Sequence, residues 1–332
     1  MSCIITGIGV VTTLGSNMKE ITGLITHGEN RPDHPHLQKN GQAELFKAKT
    51  DKITDFFPKK LLRRTDHFSK MALLAASLAI EDSGESRKNW SGDETGIIIA
   101  TGYGSINSTC LFKDSIFASS DKGPSPLLFS RSVHNQAASH LAILLGITGP
   151  NLTVSQHYLS FHCAMQTAFL WLTEKRVRRV IVGGVDEYND VLAYCRKRFL
   201  QTDIKKTADP SLQDNTCIPG EGAGFFLLEE SDTKKGPVLD MVVIGRKTDK
   251  LSADTRKQRK TVCYDCSRPS SVMSEKDTGN RDPRRFYGEF PTAAALDLAY
   301  ALCSAPGGQD ISSIQITGGQ NYGIIDIKNS PS

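Results

Sequence analysis

The sequence predicts an α/β protein made of two similar halves, and three observations predict it. From Gly149 to Asp186 the chain reads as strand, tight turn, long helix and strand. The apolar runs Cys3–Thr12 and Thr95–Gly104, each with a glycine-rich exit, have the bounded length of buried strands. Pro237–Ile244 is a second copy of the opening strand, which suits a chain that repeats one α/β unit.

In order, Cys3–Thr12 (CIITGIGVVT) leads into a glycine turn. Gly7 and Gly9 invite a dinucleotide reading, but a third glycine and an acidic residue ending a second strand are missing, so no nucleotide cofactor is expected. Residues 27–60 carry prolines, histidines and lysines with little periodicity and read as surface loop and short helix. Leu61–Gly84 reads as an amphipathic helix: Phe68, Met71, Ala72, Ala75, Ala76 and Ala79 share one face, and Gly84 stands at the C-cap. A helix is expected over Ile106–Ile116, and another begins within Ser132–Ala138 (SVHNQAA).

Asn151–Ser155 (NLTVS) has the branched residues of a buried strand. From Ser160 to Thr173, Phe161, Ala164, Met165, Ala168, Phe169 and Leu172 recur at helical steps. Lys175, Arg176, Arg178 and Arg179 follow, where cations suit the negative end of the helix dipole. Val180–Val182 enters a buried strand that Gly183 and Gly184 are expected to end. In Thr216–Glu229 the glycines of GEGAG precede a strand-like Phe225–Leu228 rather than a lysine and a helix, so they do not read as a phosphate cradle. Lys247–Lys260 is charge-rich and reads as a solvated loop, and residues 264–286 are polar and irregular. Thr292–Leu302 (TAAALDLAYAL) reads as a buried helix, and Ile314–Thr317 and Ile324–Ile327 as strands flanking a glycine loop.

With 332 residues, 39% of them hydrophobic, the chain can bury a sizeable core in one large or two modest domains. A net charge of +4 is too small to point to nucleic acid or an anionic membrane. Eight scattered cysteines without a secretory signal read as reduced and cytoplasmic. No apolar run is long enough to span a membrane. Cys263 and Cys266 form a lone C-x-x-C without a second ligand pair or a nearby histidine, so no metal is expected.

On these residues the chain resembles the β-ketoacyl-acyl carrier protein synthases, the ketosynthases of the thiolase fold. In that family a strand, a nucleophilic cysteine and a helix lie between a Gly-Pro and a Gly-Gly, and Gly149-Pro150 to Gly183-Gly184 fits that spacing without a gap. The opening VTGxGxVTxxG-like strand, the LRRxDxFxxxALxAAxxAxxDxG pattern of Leu61–Gly84, the Asn135-Gln136-Ala137-Ala138 helix start and the GEGAG of Gly220–Gly224 match as well. The resemblance implies a layered α-β-α-β-α thiolase-like core, with residues 1–233 as the first half and 234–332 as a shortened second half.

It also implies a chemistry this chain lacks. Decarboxylative Claisen condensation needs a thiolate to hold the acyl chain and two imidazoles to polarise the malonyl thioester and stabilise the enolate. The nucleophile position falls on Tyr158. The last histidine is His162, and the stretch where the second family histidine is expected reads Tyr287-Gly288-Glu289-Phe290-Pro291. Cys163 lies inside the helix, where a cysteine is an inert small hydrophobe. Gln156 stands near the nucleophile position, and chain length factors often carry Gln there. The resemblance is therefore to a chain length factor without catalytic residues, of the kind found beside aryl-polyene ketosynthases. It implies pairing with an active ketosynthase and dealings with an acyl carrier protein, for which Lys247–Lys260 offers a docking patch. The expected interface is Asn151, Leu152, Thr153, Val154 and Ser155 with His134 and Asn135; the expected tunnel lining is Ile106, Thr109, Cys110 and Lys113. No cofactor is implied. The competing readings are an active β-ketoacyl synthase or acyltransferase with an atypical site and a homodimeric scaffold or acyl-binding protein.

Overall fold

The computed structural model describes residues 2–27, 37–40, 43–118, 123–196, 198, 218–231, 236–246, 260–265, 283–305, 309–317 and 321–329. Strand β1 (Ser2–Val11) is followed by α1 (Met18–His27), the hairpin β2 (Leu37–Asn40) and β3 (Ala43–Phe46), and the short helices α2 (Ile53–Phe56) and α3 (Lys59–Leu62). Next come α4 (His67–Asp82), β4 (Thr95–Ala100), α5 (Ile106–Ala118), α6 (Pro126–Ser132), α7 (Gln136–Leu145), β5 (Asn151–Val154), α8 (Ser160–Thr173) and β6 (Arg179–Asp186). A helix over residues 190–196, α9, precedes β7 (Gly222–Ser231). The chain then forms β8 (Val238–Arg246), β9 (Lys260–Asp265), α10 (Arg284–Tyr287), α11 (Ala294–Ser304), β10 (Ile311–Ile316) and β11 (Asn321–Lys328).

The main sheet has the order β5-β4-β6-β7-β1-β8-β11-β10-β9. Within it one unit occurs twice. β4-β6-β7-β1 pair parallel, antiparallel, antiparallel, and β9-β10-β11-β8 repeat that sequence of pairings. The half-sheets meet where Cys3 and Ile4 pair with Leu239 and Val238.

Helices α8 and α11 pack against strands of both half-sheets and form the central layer, while α4 and α7 cover the outer face of the first. All six residues of β4 are buried, and their alternation sorts them: Ile97 and Ile99 face the cluster around α4, Ile98 and Ala100 the cluster around α8. This is the layered, two-half α/β fold expected. On the far face of the second half-sheet Ile314, Tyr322 and Ile324 form a small apolar cluster, with no helix over it among the described residues.

The differences from the sequence reading have local causes. The helix expected from Leu61 starts at His67, because the Asp66 carboxylate accepts from the Ser69 amide at 2.9 Å and caps it. β6 does not stop at Gly183 and Gly184; both pair with β7, in spaces that the Phe225 ring and Thr292 would deny to a side chain. A hairpin occupies some of the stretch read as loop, and β9 enters the stretch read as irregular. Gly7 and Gly9 serve packing: a Cβ on either would lie 2.2 or 2.0 Å from the Ala79 or Ala75 carbonyl oxygen of α4. Residues 247–259, Cys266 and residues 318–320 lie outside the described residues. Among those described, no helix is long and apolar enough to cross a membrane.

Candidate functional site

The turn between β5 and α8 is the most specialised piece of backbone in the chain. A 3-10 turn, His157–Leu159, joins the strand to the helix. His157 has φ +49°, in the left-handed region that costs an ordinary residue about 1–2 kcal/mol. Such conformations persist only where their surroundings enforce them. Ser160 enforces this one: its buried Oγ accepts from the Gln156 amide at 2.8 Å and lies 2.9 and 2.7 Å from the carbonyl oxygens of Thr101 and His157. Tyr158 is thereby held just ahead of the α8 N-terminus.

The rings beside it interlock. His157 meets Tyr103 at 5.7 Å and Tyr158 at 4.4 Å between centroids, both edge to face. Asp186, fully buried at the end of β6, ties the surrounding loops together. Its Oδ1 accepts from the Thr101 hydroxyl and the Gly102 and Tyr103 amides at 2.8–2.9 Å, and its Oδ2 accepts from the Thr292 amide at 3.1 Å and hydroxyl at 2.9 Å. Burial raises its carboxyl to about 6 although these donors favour the anion. Glu221 does the same a layer further out, accepting from the Ala48 and Tyr188 amides and pairing with His67 at 2.7 Å.

Opposite the turn, Arg196 of α9 pairs with Glu289 at 2.9 Å. Burial alone would lower the guanidinium, but Glu289, Tyr158 and Tyr188 more than offset it. Burial raises the Tyr103 phenol, pushes the Tyr188 phenol up to about 12 and lowers the His157 imidazole. Cys163 is half-buried one turn further along α8, and burial raises its thiol. His162 is fully buried against Gly323 of β11, and burial pushes its imidazole down to about 3. The turn thus presents phenols, an imidazole and a neutralised ion pair.

Residues 2–234 match the family described as beta-ketoacyl synthase, N-terminal domain. The chain belongs to the β-ketoacyl synthase family. It is 26% identical over 243 residues to 3-oxoacyl-(acyl-carrier-protein) synthase 2 of Synechocystis sp., a match covering 69% of this chain and 58% of that protein. The chain therefore spans under two thirds of the length of that curated relative. Among solved structures, the ishigamide ketosynthase/chain length factor superposes with a TM-score of 0.74 at 17% identity, covering 99% of this chain and all of the other. A type II PKS acyl-carrier protein in complex with its ketosynthase bound to the hexaketide gives a TM-score of 0.72 at 15% identity, covering 98% and 99%. These structures show the shared ketosynthase fold.

Within this synthase fold the expected interface residues come together. His134, Asn135, Asn151, Leu152, Thr153 and Ser155, with Ser139, line a cavity of about 520 Å³ along the open edge of β5. Val154 lies in the same strand, packed toward the core. The His134 ring sits over Gly104, whose φ is +64°. On α5, Ile106 and Cys110 are half-buried, and the Cys110 sulfur accepts from Asn189 at 3.4 Å. Thr109 is exposed and lies within hydrogen-bonding distance of the Ser105 and Ser132 carbonyls; Lys113 is exposed beside Asp114. Gln156 is exposed at the foot of the turn. Tyr103, Asp186, Tyr188 and Arg196 were not singled out by the sequence. Only Glu289 carried a signal, as part of the Tyr287–Pro291 stretch in which the family's second histidine is expected.

Proposed function

We propose that this chain is a ketosynthase-like subunit without condensing activity of its own, a chain length factor that pairs with an active β-ketoacyl synthase and shapes the tunnel for a growing acyl or polyene chain supplied by an acyl carrier protein. The observation that carries this reading is the turn itself: Tyr158, on which the family's nucleophile position falls by the spacing from Gly149-Pro150, sits partly buried just ahead of α8, and Glu289, in the stretch expected to hold a histidine, is bound to Arg196. A phenol backed by a neutralised ion pair supplies neither a thiolate nor an imidazole pair.

The face around β5 supports a partner. Among the described residues β5 pairs only with β4, leaving one edge open, and Leu152 of β5, Ile143 of α7 and Leu170 of α8, helices that both pack on β5, are exposed. On α5 and α6, Leu111, Ile116, Phe117, Leu127 and Phe129 are also exposed, Phe117 by 82%. An open apolar edge of this kind asks for cover. The ishigamide ketosynthase/chain length factor joins the same two roles in its name.

The test is intact-protein mass spectrometry after incubation with an acylated carrier protein. The chain alone is expected to gain no acyl mass and, co-expressed with an active ketosynthase, to purify as a heterodimer. A stoichiometric acyl adduct on the isolated chain overturns the reading.

A further inference from the structure

Three rings from two segments meet at the turn ahead of α8, those of Tyr103 and Tyr158 partly buried and that of His157 at its exposed mouth. The left-handed backbone at His157 turns its ring between Tyr103 and Tyr158. Tyr103 follows Gly102, where a Cβ would lie 2.3 Å from the Pro291 Cβ and 3.5 Å from the His157 Cα, so the β4 exit, the turn and the lead into α11 already touch. The Tyr103 amide is bound to Asp186, which also holds Thr292. Behind them the Arg196–Glu289 pair joins α9 to the α11 lead, within electrostatic reach of Tyr103 and Tyr188, and Arg196 also of Tyr158. The backbone that carries these rings is fixed by hydrogen bonds and close contact, and the rings lie edge to face on one another, so moving one disturbs its neighbours.

We propose that Tyr103, His157 and Tyr158 form an aromatic stopper that keeps an acyl chain out of this subunit's own turn and so helps set how far a product can extend. The exclusion stands on the geometry of this chain alone; the effect on product length rests on the function proposed above.

Two measurements separate the exclusion from the effect on length. The first is fluorescence titration of the isolated chain with cis-parinaric acid, a polyene fatty acid that brightens in apolar sites. The native chain is expected to give little binding, while Tyr158→Ala and Tyr103→Ala/Tyr158→Ala bind at least about tenfold more tightly. Tyr158→Phe, which keeps the ring, is expected to behave as the native chain. Native binding as tight as that of the variants overturns the stopper, and so does opening by Tyr158→Phe. Variants that keep the native circular dichroism and melting temperature yet bind no better overturn it as well. Where the double variant does not fold, the single half-buried Tyr158→Ala carries the test. The second measurement is product profiling with an active ketosynthase partner, where Tyr158→Ala is expected to lengthen the products. Failure to form any heterodimer counts against the proposed function while leaving the titration to judge the stopper. A heterodimer with unchanged products, beside a positive titration, overturns the effect on length.

Discussion

The two half-sheets share one order and one set of pairings, yet they are held together by different means. The first is sealed on its outer face by α4 and α7, whose Phe68, Met71, Leu74, Ala138 and Leu141 join an apolar cluster with Ile97, Ile99 and Phe225. The second holds an ion pair whose two side chains are both fully buried. Arg284 and Asp297, both 1% exposed, pair at 2.7 Å where α10, α11 and β10 meet, with Gln315 accepting from Arg284 and Tyr287 donating to Asp297. The first half also carries one strand more. β5 extends it beyond β4, and the second half has no counterpart to β5 among the described residues. The specialised turn hangs on that strand, so the half that departs from the repeat is the half that holds the candidate site.

If the second half depends on its buried ion pair, Arg284→Ala should be among the most damaging single changes in the chain. It leaves Asp297 buried without its cation, an expected loss of about 3–5 kcal/mol by chemical denaturation. A loss below about 1 kcal/mol would place the strength of this half in its apolar contacts instead.

Acid should sharpen the contrast, because His162, packed against the second half-sheet, and Asp186, at the end of a first-half strand, respond to it with opposite signs. The folded value for His162, about 3, lies below its ordinary 6.5, so between those values the unfolded chain binds the extra proton and stability falls as pH falls. The folded value for Asp186, about 6, lies above its ordinary 3.8, so across that window the folded chain holds the extra proton and stability falls as pH rises. Melting temperature against pH is therefore expected to show a shallower acid limb in His162→Leu and a steeper one in Asp186→Asn. Parallel curves for the native chain and both variants would mean that neither group governs the acid response.

The smallest effect is expected at Lys328, whose 2.7 Å pair with Asp240 joins β11 to β8 at the surface of the same half as Arg284. Its side chain is 53% exposed, so solvent competes for both charges, and Lys328→Ala should cost under about 1 kcal/mol in the same denaturation assay. A cost matching that of Arg284→Ala would mean that burial is not what separates the two pairs.

By itself the sequence determined most of the core elements of this protein and shows no cysteine between Pro150 and Cys163. The helical spacing from Phe161 to Leu172 yields α8 with the bounds read from it, and the apolar runs at both chain ends become β1, β8, β10 and β11 within a residue or a few. Tyr158 and the lack of histidine after His162 are plain in the residues. These are local properties: periodicity and residue identity act over a few positions. Tertiary structure decided the rest. That Gly7 and Gly9 admit α4, that Glu289 meets Arg196 across 93 positions, and that Asp186 gathers Thr101 and Thr292 depend on which segments the sheet order brings together. A long-range pair leaves no periodic trace in its neighbours. A buried carboxylate such as Asp186 therefore reads, along the chain, like any other polar residue beside a glycine turn, and only its donors, carried in from distant strands and loops, give it a role.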